Sequence, residues 1–112
     1  MAKMEILCID VPDLNDSFSR AVLGGKPFLL RFTWNDAAQR WSFGLFDMQR
    51  EPLAQGIRMV PRFPLNLQIV GDEFPPGFFA AITKLESIGR GDFRDGRAKF
   101  IYVPVIQGGK IT

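Results

Sequence analysis

The stretch Pro27 to Asn35 most constrains the fold, because Phe28, Leu30, Phe32 and Trp34 alternate with Leu29, Arg31 and Thr33. A repeat of two residues places successive side chains on opposite faces of an extended chain, so this segment reads as a strand with one strongly apolar face. After the polar segment Asn35 to Arg40 the same period resumes, with Trp41, Phe43 and Leu45 on one face. Two such runs around a short polar connection form a hairpin. Trp34 and Trp41 flank that turn as a cross-strand aromatic pair, which contributes about 0.5–1 kcal/mol beyond burial and holds the register. Their same-face neighbours Phe32, Phe43 and Leu45 make them core residues rather than ligand platforms.

Further strand signals lie on both sides. Asp47 to Pro52 is a turn into Leu53 to Val60, where Leu53, Ile57 and Met59 share a parity and Gly56 marks a bulge or a close approach. Pro61 and Pro64 bracket the exit, so Phe63 to Val70 is expected at a sheet edge or in an extended loop. Upstream, Met4 to Ile9 is short and β-prone, and Phe18 to Leu23 follows the turn-rich segment Asp10 to Ser17; Gly24-Gly25 turns the chain into the strong strand. Downstream, Phe78 to Leu85 is read as a strand, although Phe78, Ile82 and Leu85 also fall at helical spacing. Gly89 to Gly96 is a glycine-rich loop, and Lys99 to Val105 is a terminal strand stopped by proline. The fold class is therefore all-β: a small single-domain barrel or sandwich of about seven short, mostly antiparallel strands. At 112 residues the chain suits one β domain, with its core at 3–105 and a frayed tail at 107–112.

Composition narrows the chemistry. Hydrophobic residues make up 46% and charged residues 23%, a globular balance. No window approaches the roughly 18 apolar residues of a membrane-spanning helix, and no membrane association is expected. The N-terminus meets Glu5 and Asp10 before an apolar run reaches the length of a signal peptide, so export by a cleaved signal is not expected. Cys8 is the only cysteine, which excludes an intrachain disulfide; it is expected as a small buried residue within a strand. Histidine is absent, which removes the commonest general base and metal ligand. It also explains a pI of about 9.0 at a net charge of only +2, since no side chain titrates between the carboxylates and the thiol. No carboxylate pair, nucleophile-base pair or metal set is visible, so no enzyme activity and no cofactor are expected.

Short motif matches do not change this. Gly108-Gly109-Lys110 and Gly24-Gly25-Lys26 lack the spaced glycine and following helix that a phosphate loop needs. Arg90-Gly91-Asp92 is a tripeptide that arises easily by chance in a glycine-rich loop. The segment Lys84 to Lys99 is more informative. It concentrates Arg90, Phe93, Arg94 and Arg97, offset by Glu86, Asp92 and Asp95, which suits an interface loop better than a groove tracking a nucleic-acid backbone. Nine arginines against five lysines agree with protein interfaces, where Arg is enriched. Arg90, Phe93, Arg94 and Arg97 are the candidate interface; Arg90 and Arg94 offer bidentate pairs to partner carboxylates, and the glycines let the loop adapt. The alternative is a small β-barrel binding single-stranded nucleic acid, with Phe93, Trp34 or Tyr102 stacking on bases.

The order of motifs resembles the cyanophage-type baseplate plug family of phages and prophages with contractile tails. The resembling residues are Phe18 to Gly25, Phe28 to Asn35, Trp41 to Asp47, Pro52 to Ile57, Pro76-Gly77-Phe78 and Phe100 to Val103. The most specific part is Trp-Asn ending one strand, a short turn, and Trp opening the next. Arg50-Glu51 stands in a turn where the pattern leads one to expect a glycine, and Asp72 to Pro76 is more acidic and proline-rich than the pattern. The resemblance implies a structural virion component made in the host bacterial cytoplasm. It implies a plug at the central end of the tail tube, arranged as a ring, contacting hub, spike and tube proteins, and meeting DNA at most transiently in the lumen. It carries no catalytic residues. Far-ultraviolet circular dichroism checks the fold reading: a β-dominated spectrum is expected, and a helix content above about one third, usual for mixed globular proteins, overturns it.

Overall fold

The alternation at Phe28 to Trp34 becomes the centre of a two-layer β-sandwich. The structure, a computed structural model, describes residues 6–61 and 77–104. Its strands are β1 (Leu7–Ile9), β2 (Asp16–Leu23), β3 (Lys26–Asn35), β4 (Arg40–Phe46), β5 (Pro52–Arg58), β6 (Gly77–Thr83) and β7 (Ala98–Pro104). They form a four-stranded sheet in the order β2-β3-β4-β5 and a three-stranded sheet in the order β1-β7-β6, with every neighbouring pair antiparallel. An isolated parallel bridge, Pro61 to Ala81, joins the end of the first sheet to β6.

Each turn follows from local chemistry. Gly24 and Gly25, at φ 61° and 86°, make the two-residue connection between β2 and β3. Two left-handed residues match the strand twist of a tight hairpin, and glycine adopts them without a Cβ penalty. Between β3 and β4, the Asn35 side chain accepts the Ala38 amide at 3.0 Å, and Gln39 takes φ 54° to re-enter the ladder at Arg40. The hairpin register pairs Leu30 with Leu45, Phe32 with Phe43 and Trp34 with Trp41. The two indoles meet edge-on, with ring centroids 5.6 Å apart at 60°. Both are buried, as their same-face neighbours require.

The inner faces of the two sheets share one aromatic core. Phe32 and Phe43 project from β3 and β4, and Phe79 and Phe100 from β6 and β7. Phe43 meets Phe100 at 4.9 Å and Phe79 at 5.2 Å, Phe32 meets Phe100 at 5.3 Å, and Phe79 stacks on Phe100 at 11°. These edge-to-face and offset contacts suit the ring quadrupole and contribute about 0.5–1.5 kcal/mol per pair beyond burial.

The segment read as strand despite its helical spacing is β6. Phe79, Ala81 and Thr83 point inward and Ile82 is exposed, so period two decides it. The irregularity expected at Gly56 is a bulge: Ile57 pairs with Phe43 and Ala54 with Leu45, leaving Gln55 and Gly56 opposite Gly44 alone. Gly56 sits at φ 68°, the left-handed conformation such a bulge uses. One expectation is overturned, because Cys8 is exposed rather than buried. β1 is a three-residue edge strand whose inward position is taken by Ile9, and alternation turns the neighbouring thiol to solvent. The segments expected at Phe63 to Val70 and 107–112 lie outside the described residues.

Phe100→Ala should cost about 3–5 kcal/mol in urea-unfolding free energy, the range for a buried aromatic truncated to alanine. Val22→Ala, half-exposed on β2, should stay within about 0.5 kcal/mol of the parent. Equal losses at the two positions are the outcome that contradicts a core centred on the facing phenylalanines.

Candidate functional site

The loop between β6 and β7 carries all four candidate interface residues, and it is built around Asp92. The Asp92 side chain is only 12% exposed. Its Oδ2 accepts the Gly89 amide at 2.6 Å, and its Oδ1 accepts Arg97 Nε at 2.8 Å. The Asp92 carbonyl then accepts the amides of Arg97 and Ala98, which leads the chain into β7. An aspartate bonding backbone a few residues away mimics a turn, and here it closes the loop at both ends. The Gly89 amide, followed by the Arg97 guanidinium, holds the Asp92 carboxyl below its ordinary 3.8 against the opposing effect of burial.

Arg90 ties this loop to the rest of the molecule. Its Nε donates to Asn15 Oδ1 at 2.7 Å and its Nη1 to Asp13 Oδ1 at 2.8 Å, on the connection between β1 and β2. Its guanidinium lies 5.4 Å from the ring centre of Trp41. Trp41 in turn donates Nε1–H to the Gly89 carbonyl at 3.2 Å and meets Phe93 edge-on at 5.9 Å. One core tryptophan therefore supports the loop through a hydrogen bond, an aromatic contact and a cation–π contact.

Arg94 and Arg97 reach further out. Arg94 Nε donates to Asp95 Oδ1 at 2.9 Å, with Asp13 at 3.9 Å, and Arg97 Nη2 donates to Asp95 Oδ2 at 2.8 Å. More than half of each side chain stays exposed. The Arg94 hydrogen bond, helped by both guanidinium charges, lowers the Asp95 carboxyl from its usual value.

The structure thus brings Arg90, Phe93, Arg94 and Arg97 into one loop and gives all of them internal partners. The adaptable glycine loop of the sequence reading is instead ordered by carboxylates, and Arg90 is engaged within the chain. Asp92 was readable as a turn-former in a Gly-Asp-Phe context. Asp13 and Asn15 had no such signal, because more than seventy residues separate them from Arg90. Of the stacking residues of the nucleic-acid alternative, Trp34 and Tyr102 are buried, and Phe93, partly buried, packs on Trp41. The Tyr102 hydroxyl has no hydrogen-bond partner among the described residues, and burial pushes it up to about 12.

Two antiparallel sheets with an aromatic interior and an ion-paired loop at one end define an all-β protein. The chain belongs to the cyanophage baseplate Pam3 plug gp18 family, whose model matches residues 4–105. No curated protein matches it. Membership makes it a structural baseplate plug protein and implies a location in the virion tail baseplate.

The loop chemistry sets a pH dependence. The folded Asp92 carboxyl titrates below its unfolded value, so its stabilisation is present above about 3.8 and is lost as pH falls through the lower folded value. Asp92→Asn should cost about 1–3 kcal/mol at neutral pH, since it leaves Arg97 and the Gly89 amide without their charged acceptor. The gap to the parent should narrow when the unfolding series is repeated below that range. Equal stabilities at neutral pH contradict the role assigned to Asp92.

Proposed function

We propose that the chain forms a ring at the central end of a contractile tail tube, where it contacts hub or spike and tube proteins through the loop 89–97, and that its role there involves no catalysis. The supporting observation is that this loop is ordered by its own ion pairs while Arg94 and Arg97 remain more than half exposed. A contact surface ordered in advance loses less side-chain and loop entropy on binding. Arginine forks suit partner carboxylates, and each guanidinium has donors beyond those its internal pairs use.

A ring requires a heterologous interface that closes on itself, with one patch meeting a different patch on the next copy. In isolation the chain is expected to be monomeric, because interfaces below about 1,200 Å² often dissociate without further partners. DNA contact is transient and confined to the lumen, in keeping with the near-balanced charge of +2. Synthesis in the host bacterial cytoplasm fits a single unpaired cysteine. The absence of histidine and of any nucleophile-base pair in the sequence supports a role without chemistry.

Charge reversal tests the loop. Arg90 is unsuitable, since its bonds to Asp13 and Asn15 tie the loop to the connection between β1 and β2, whereas Arg94 is more than half exposed. Arg94→Glu should leave the melting transition in place and reduce the amount of this protein in purified tails. Normal incorporation of the variant removes the loop from the interface.

A further inference from the structure

A second arginine cluster lies away from that loop, around the turn between β4 and β5. Arg50 adopts φ 67°, in the left-handed region that side chains with a Cβ seldom occupy. The turn holds it there. Asp47 Oδ1 accepts the amides of Gln49 and Glu51 at 2.9 Å each, and the Asp47 carbonyl accepts the Arg50 amide at 2.9 Å. This places the Arg50 guanidinium 4.7 Å from the ring centre of Phe18 on β2. Arg31 approaches the same ring at 5.6 Å while bound by two hydrogen bonds to Asp16, at 2.8 and 2.7 Å. Phe18 also meets Phe46 edge-on at 5.2 Å.

Phe46 borders a recess of about 220 Å³ that includes Thr33, Ser42, Gly44 and Gln55. Gly44 lets the Phe46 ring and the Ala54 carbonyl approach the backbone at its edge, since a Cβ there would stand 3.0 Å from both. Arg31, Arg90, Arg94 and Arg97 each have a carboxylate partner, whereas Arg50, like Arg20, Arg40 and Arg58, has none among the described residues; of these four, Arg50 is the one held over the Phe18 ring. A strained backbone that presents an unpaired guanidinium beside an aromatic pair and an open recess is a marker of a working contact.

We propose that this outer face of the four-stranded sheet is a docking surface for a carboxylate-bearing segment of a neighbouring protein, with the carboxylate held by Arg50 and the adjoining side chain in the recess beside Phe46. That the partner is a protein rests on the plug reading. Charge favours the same choice: a net charge of only +2 suits a phosphate backbone poorly, while Arg50 offers a carboxylate a guanidinium that no carboxylate among the described residues occupies.

Titrating the isotope-labelled full chain with a short peptide that carries one glutamate between apolar residues tests the site by nuclear magnetic resonance. Saturable shifts are expected at Arg50 Nε–H and at the amides of Phe18, Gly44 and Phe46. Arg50→Gly should weaken that binding about tenfold, the scale of one charge-assisted pair. It should also hold or raise the melting temperature, because glycine adopts the left-handed conformation freely. Arg50→Gln, which removes the charge and keeps the length, should lose the same affinity. The proposal is overturned by unchanged binding in both variants, by no saturable shift, by tighter binding of oligothymidylate at the same resonances, or by concentration-dependent shifts without peptide, which assign the face to a second copy. The plug reading stands or falls separately, on whether the parent protein is present in purified tails.

Discussion

The four phenylalanines shared by the two sheets are the contact on which the rest of this molecule depends. Neither sheet can bury an apolar face alone, and a few strands without a covering layer are marginal in water. Phe32 and Phe43 supply one side, Phe79 and Phe100 the other, and their rings pack at 4.9–5.5 Å. Because interiors pack at crystal-like density, these contacts also fix how the sheets sit relative to each other. Every exposed feature inherits its position from that relation.

Trp41 carries this constraint from the core to the charged loop. It pairs with Trp34 inside the sandwich and contacts Gly89, Phe93 and Arg90 at its end. The loop gains order from apolar burial and from hydrogen bonding together. Exposed ion pairs alone contribute little, so the Arg94 and Arg97 pairs shape the loop more than they stabilise the fold. The nearly buried Asp92 is different, since the chain's entry into β7 passes through its bonds.

The turn at Arg50 shows a local rule and a surface feature meeting. The expectation of glycine there has a physical basis in the observed φ of 67°. Arginine takes the position at a conformational cost, offset within the structure by the Asp47 hydrogen bonds and the Phe18 ring.

Strands and their inward faces were legible because period two is a local property: Phe28 to Trp34 and Trp41 to Leu45 declare their buried faces without reference to anything distant. The pairing of Trp34 with Trp41 followed from the short turn between them, and the bulge at Gly56 from a glycine inside a strand pattern. The ring stack of Phe79 on Phe100 was not legible, nor was the division into two sheets in place of a closed barrel. Cys8 shows the limit of residue type as a guide, since a three-residue edge strand offers one inward position and Ile9 fills it. The arginines of the loop between β6 and β7 show it more strongly. Composition collected Arg90, Arg94 and Arg97 in one segment, but only the packed sheets bring Asp13 and Asn15 to Arg90, and Phe18 to Arg50. By itself the sequence determined what each short segment does, because backbone period and turn chemistry act over a few residues. The tertiary structure decided which charges are paired internally and which stay unpaired at the surface, because Coulomb and hydrogen-bond contacts act across space and take no account of separation along the chain.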